Sequence, residues 1–276
     1  MRKISVNQLT TMRWSFDEDV VFYRSRGIKR IGVNREKAHD FGIEKCREIL
    51  LDAGMTVSSY GSLAFTTDLT GPSLKEQIFD AHREVEHAAC LGADRLIVHT
   101  GGQAGHLRKN RFRIATQVID QLLPVAEEYG VALTIEPLSV DPLSGKQFSH
   151  SLDDSVELID SYASDSLSLA LDLYQAENDF LKLDPDWFTR NVSLIQLSDF
   201  VWRCNKKFRT PIGTGELDWD LFCQFVDGTG YQGVFEFELY GEDFDLVSYQ
   251  ETISAIADTL TITPPVSPVE LESIRA

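Results

Sequence analysis

Apolar positions along this chain follow two rhythms. Short runs dense in Val, Ile and Leu alternate with longer stretches whose apolar residues recur at helical spacing. The first rhythm belongs to buried strands and the second to helices with one apolar face. ISVNQL (4–9) predicts a first strand, and FDEDVVFYRSRG a helix stopped by Gly27. RIGVN (30–34) predicts a second strand, with a helix through EKCREILLDAG. MTVSSYG (55–61) is a third strand, followed by a long helix over 73–93. RLIVHT (95–100) leads into the helix RIATQVIDQLLPVAEEYG. VALTIE (131–136) is closed by Pro137, and a polar loop leads to the helix DDSVELIDSY. SLALDL (168–173) is a sixth strand, with a short helix near DPDWFTR. SLIQL is a seventh, followed by the helix LDWDLFCQFVDGTG. GVFEFEL (233–239) is the eighth, and DLVSYQETISAIADTL the last helix.

Strands alternating with helices imply βαβ units and a parallel sheet. Eight such units in one chain predict an α/β protein, a closed (β/α)₈ barrel. Residues 1–260 are expected to form this single domain. The Pro-rich TITPPVSPVELESIRA has no strand partner, so 261–276 read as a C-terminal extension.

A barrel of this kind places its chemistry where strands end. The polar residues there are Asn7, Asn34, Tyr60, His99, Glu136, Asp172, Gln196 and Glu238. The last four come from largely apolar strands. Three carboxylates converging in a barrel mouth repel one another. A divalent cation relieves that repulsion, with the Gln196 amide oxygen as a neutral fourth ligand. Oxygen donors suit Mn²⁺ or Mg²⁺ and also admit Zn²⁺ or Co²⁺. Each residue alone has a plainer reading: a strand-end acid as a helix cap or ion-pair member, an inward Gln bonded to backbone. Glu236 lies two residues from Glu238 and faces the same side. Either could be a ligand, and Glu238 is preferred as nearer the catalytic end.

Composition narrows the partners. The 276 residues carry 26 Lys and Arg against 43 Asp and Glu, a net charge of −17. Such a surface repels nucleic-acid backbones, so no nucleic acid is expected. Four scattered cysteines without a CxxC pair read as reduced thiols. No signal peptide and no membrane-spanning run is recognisable. A soluble, cytoplasmic protein is therefore expected. Gly213 and Gly215 form no dinucleotide fingerprint, so no nucleotide cofactor is expected.

These motifs together resemble the sugar phosphate isomerase/epimerase family of the xylose-isomerase-like TIM barrel superfamily. TIEPL (134–138) is similar to its Glu-Pro motif, and VHTGG (98–102) to its His-x-Gly stretch. LDLYQ (171–175) and IQLSD (195–199) are similar to Asp-x-x-His and His-x-x-Asp, with Gln175 and Gln196 in the His places. FRTPIGTGELD (208–218) and GYQGVFEFE (230–238) match the closing loop and strand. Hydroxypyruvate isomerase-like members resemble this glutamine pattern. The resemblance covers most of the chain. It implies Glu136, Asp172, Gln196 and Glu238 as metal ligands. It implies Glu136 and Glu238 as an acid/base pair on opposite faces of the substrate. His99, Gln175 and Arg209 would line or hold that substrate. Homo-oligomers are common in the superfamily.

The chemistry so implied is proton removal beside a carbonyl, through a metal-stabilised enediolate. The substrate would be a keto-sugar or small hydroxy-ketone. Proton return to another carbon isomerises, return from the opposite face epimerises, and loss of a β-hydroxyl gives a lyase or dehydratase. A non-catalytic relative with a degenerate metal site is a further alternative. An apurinic-endonuclease-type nuclease ranks low, because all six histidines precede the sixth strand. His106 is placed to cover the mouth. Trp14 and Trp202 offer either a sugar-stacking face or ordinary core packing, the latter being the default.

Overall fold

A computed structural model describes residues 2–65, 71–100, 107–138, 151–241 and 248–259. The expected C-terminal extension and His106 lie outside the described residues. Eight parallel strands close into a barrel: β1 (Lys3–Asn7), β2 (Arg30–Asn34), β3 (Thr56–Ala64), β4 (Arg95–His99), β5 (Ala132–Ile135), β6 (Leu167–Asp172), β7 (Val192–Leu197) and β10 (Val234–Phe237). β10 pairs with both β7 and β1, and that pairing shuts the cylinder. The predicted (β/α)₈ barrel is present.

Helices α1 (Phe16–Ser25), α2 (Arg35–Phe41), α3 (Ile43–Ala53), α4 (Leu74–Cys90), α5 (Arg108–Tyr129), α6 (Leu152–Tyr162), α7 (Leu173–Ala176), α8 (Pro185–Asn191), α9 (Trp219–Thr229) and α10 (Tyr249–Thr259) accompany the strands. Among the described residues no helix is long and apolar enough to cross a membrane. α1 and α4 start at capping boxes, Ser15 with Glu18 and Ser73 with Glu76. In each, side chains satisfy amide hydrogens that the first turn leaves over. The main core lies between strands and helices. Ile97, Ala170, Leu194 and Val234 form a separate small cluster. By strand alternation they point inward with Asp172, Gln196 and Glu236, so they plug the barrel beneath the polar end.

Three local departures from the pattern bear on the site. The first strand stops at Asn7, because the Asn7 Oδ1 accepts from Leu9 N and opens a 3₁₀ turn over Gln8–Thr11. β3 runs to Ala64 past irregular pairing, so Tyr60 is not a strand-end residue. Its hydroxyl donates to Glu84 of α4 at 2.6 Å, in the helix layer. Between β7 and α9 stands an antiparallel hairpin of β8 (Asp199–Arg203) and β9 (Lys206–Thr210). Cys204 and Asn205 turn it at φ 50° and 60°. Paired positive φ angles are what a tight hairpin needs, but Cys-Asn lacks the Asn-Gly signature that announces it.

Candidate active site at the barrel mouth

The strands carry Glu136, Asp172, Gln196 and Glu238 to one end of the cylinder, all buried. Pairing sets Asp172 level with Gln196, and Gln196 level with Glu236. Glu238 lies one inward position higher on its strand. A carboxylate oxygen from each of Glu136, Asp172 and Glu238 lies within 4.8 Å of the others.

Gln196 stands among them. Its Nε2 donates to Glu238 Oε2 at 2.6 Å. Its Oε1 is then buried with no hydrogen-bond partner among the described residues. A dry, unpaired acceptor costs about 1–3 kcal/mol. Three converging carboxylates beside an unpaired amide oxygen form a hard oxygen donor set, which fits a divalent cation.

Arg209, on β9, reaches in from the hairpin. Its two terminal nitrogens meet the two oxygens of Asp172 at 3.2 and 2.6 Å. It also donates to Ser198 Oγ at 2.8 Å and lies 3.8 Å from Glu238 Oε1. Tyr174 and Tyr240 stack on its guanidinium, with centroids at 4.3 and 4.4 Å. This buried fork fixes the Asp172 carboxylate in place and leaves lone pairs on its oxygens for a second cation.

The other carboxylates behave differently. Burial pushes Glu136 up to about 8, with the charge of Asp172 adding to it and Arg209 opposing. Burial and Glu136 push Glu238 well above the usual carboxylate range, again against Arg209. His99 sits against Glu136, with Nδ1 3.4 Å from the Glu136 carbonyl oxygen and Nε2 3.8 Å from Oε2. Burial pushes its imidazole down to about 4, so it is neutral at pH 7. Gln175 stands beside Asp172 in the lining of a neighbouring cavity of about 230 Å³ that also touches Leu171 and Pro137.

The remaining strand-end residues do structural work. Asn34 caps α2 by accepting from Lys37 N. Glu236 is a buried acceptor for Asn7, Ser58 and Ser59 at 2.5–3.0 Å. Its carboxylate reaches β2, where a Cβ on Gly32 would lie 2.6 Å away. Glu236 thus belongs to a hydroxyl-lined layer below the mouth, apart from the three-carboxylate cluster. Trp14 packs edge-on against Phe22 and Tyr249, while Trp202 is half exposed on the hairpin.

Ser198 and Tyr240 carried no role in the sequence, and Asp199 entered only as the last residue of the IQLSD stretch. Asp199 takes five hydrogen bonds, from the backbone amides of Phe200, Gly213, Gly215 and Leu217 and from the Trp219 indole. It thereby ties the loop after β9 to β8. An Asp at a strand end followed by a Gly-rich loop was the available signal.

No curated protein sequence matches the chain. Among solved structures, a protein from Sinorhizobium meliloti 1021 superposes with TM-score 0.79 at 21% identity, covering 92% of this chain and 96% of that one. The IOLI protein with a binding zinc atom gives TM-score 0.79 at 15% identity, over 96% and 99%. L-ribulose 3-epimerase gives 0.74 at 13%, over 100% and 99%. At such identities the likeness speaks for the fold. The family described as xylose isomerase-like TIM barrel matches residues 22–259. The closed barrel and this match over most of its length make the chain a member of the xylose isomerase-like TIM barrel family.

Proposed function

We propose that the chain is a divalent-metal-dependent isomerase or epimerase of a keto-sugar or small hydroxy-ketone. The observation that carries this reading is the unpaired Gln196 Oε1 beside three buried carboxylates within 4.8 Å. Glu136, Asp172, Gln196 and Glu238 would hold the ion, Mn²⁺ or Mg²⁺ before Zn²⁺ or Co²⁺. A bound ion supplies Lewis-acid polarisation of the substrate carbonyl. Two of the proteins that share the fold support the reading: the IOLI protein carries zinc, and another acts as an L-ribulose 3-epimerase.

The chain's own groups move the proton. Glu136 and Glu238 come to the mouth from the ends of two different strands, so one would take a proton from the carbon beside the carbonyl while the other would return it. Arg209 orients Asp172 and would face substrate oxygens. Neutral His99 and Gln175 would line the substrate's flanks. Return of the proton to a neighbouring carbon isomerises, and return by the other glutamate epimerises.

The test is metal content of the purified protein, with Glu136→Gln beside it, then solvent-deuterium exchange into a panel of ketoses. One ion at the mouth, lost in Glu136→Gln, together with metal-dependent exchange, is the expected result. Release of a β-leaving group in the same assay would mark a lyase. The forked Arg209–Asp172 pair favours one other outcome, a barrel whose guanidinium has replaced the ion. Failure to bind Mn²⁺, Mg²⁺, Zn²⁺ or Co²⁺ at the mouth would favour that outcome over the metal-dependent reading.

A further inference from the structure

A second convergence of ligand atoms lies outside the barrel, between α2 and α4. His39 comes from α2, and Glu84 and His87 from one face of α4 at a spacing of three. His39 Nε2 lies 3.2 Å from Glu84 Oε2, and His87 Nδ1 lies 3.4 Å from the same oxygen. The imidazoles stand at 88° with centroids 5.3 Å apart. Tetrahedral zinc with bonds of 2.0–2.1 Å puts neighbouring ligand atoms about 3.3 Å apart. Both distances match that edge, and both are long for a charge-assisted hydrogen bond.

Two further features point to a ligand. Tyr60 donates to Glu84 Oε2 at 2.6 Å, and its hydroxyl lies 3.3 Å from His39 Nε2, so it holds the carboxylate beside the imidazole. His87 also lines an open cavity with Glu44, Glu86 and Cys90, which gives solvent a route to that side of the cluster. Two imidazole nitrogens and one carboxylate oxygen suit Zn²⁺ better than Mg²⁺ or Mn²⁺.

We propose that His39, Glu84 and His87 form a second metal site, selective for Zn²⁺ or a similar transition ion, that pins α2 to α4. It shares no ligand with the barrel mouth and stands whatever the mouth binds. The ordinary alternative is a carboxylate paired with two imidazoles.

Zinc titration of the metal-stripped full chain by calorimetry, against the His39→Gln/His87→Gln double variant, decides between them. Both histidines are at least partly exposed, so the variant should fold. The expected result is one fewer Zn²⁺ per chain in the variant, from two to one if the mouth binds and from one to none if it does not. Cobalt should give tetrahedral absorption bands in the wild type that the variant lacks. Zinc should also raise the melting temperature more in the wild type. Equal stoichiometry and affinity in the two proteins, or no Zn²⁺ bound by either, would overturn the proposal.

Discussion

Arg209 combines a forked bond to Asp172, a contact at 3.8 Å to Glu238 and stacking between two tyrosines. Each feature depends on a planar, permanently charged group, so lysine is a poor substitute. Arg209→Met leaves Asp172 buried without its counter-charge, which costs about 3–5 kcal/mol. A divalent ion bound at Asp172 then supplies the counter-charge that the variant lacks. Thermal melts should therefore show the metal-stripped variant well below wild type, with a larger recovery on adding Mn²⁺. Equal recovery in the two proteins would mean that the ion does not neutralise Asp172. A second residue-scale prediction concerns Gly32, whose absent Cβ makes room for the Glu236 carboxylate. Gly32→Ala should lower unfolding stability by about 1–3 kcal/mol, as overpacking of a filled interior does, measured by urea denaturation. Glu136, Asp172, Gln196 and Glu238 were legible as polar residues ending apolar strands. The bonds that distinguish Glu238 from Glu236 were not, because alternation gives both the same face.

At the scale of elements, the hairpin and the loop after it deliver Arg209. Asp199 accepts from Gly213 and Gly215 at 3.1 and 2.9 Å, and a Cβ on Gly215 would lie 2.3 Å from Asp199 Oδ1. Asp199→Ala should release this loop while the barrel persists. Amide hydrogen exchange over 212–219 should speed up at least tenfold, about 1.4 kcal/mol of lost local protection. Exchange confined to wild-type rates would show that the loop is held by other means. The barrel strands and most helices follow from periodicity, since each buries one face or one stripe. The hairpin escaped because its turn uses Cys204 and Asn205, and because FRTPIGTG reads as loop wherever glycines dominate.

At the scale of the molecule, the segment after β1 is anchored by a buried charge pair. Lys37 Nζ meets Asp19 Oδ2 at 2.7 Å, and Gln8 and Thr11 donate to the same carboxylate at 2.8 and 2.6 Å. Burial pushes Asp19 up to about 6, against the pull of Lys37 and these bonds. Between about pH 4 and 6 the native chain keeps a proton that the unfolded chain has released. Native protein then binds more protons, so this contribution to stability falls as pH rises through that window and is flat above it. The difference is up to about 3 kcal/mol. Denaturation of wild type against Asp19→Asn/Lys37→Met at pH 4 and pH 7 should show the slope in the first protein and a weaker one in the second.

The sequence by itself determined the eight-unit barrel, the end at which its strands finish and the four oxygen-bearing residues there. Those follow from local periodicity and from the rule that a strand's last residue faces the mouth. Tertiary structure alone decided which groups touch: Arg209 on Asp172, Gln196 turned toward Glu238, Glu236 drawn to Ser58 and Ser59, and Tyr60 carried out to Glu84. Those partners are separated by about 20 to 180 residues and meet through register, closure and irregular strand pairing. No local pattern encodes such meetings, because each depends on where the rest of the cylinder places its neighbour.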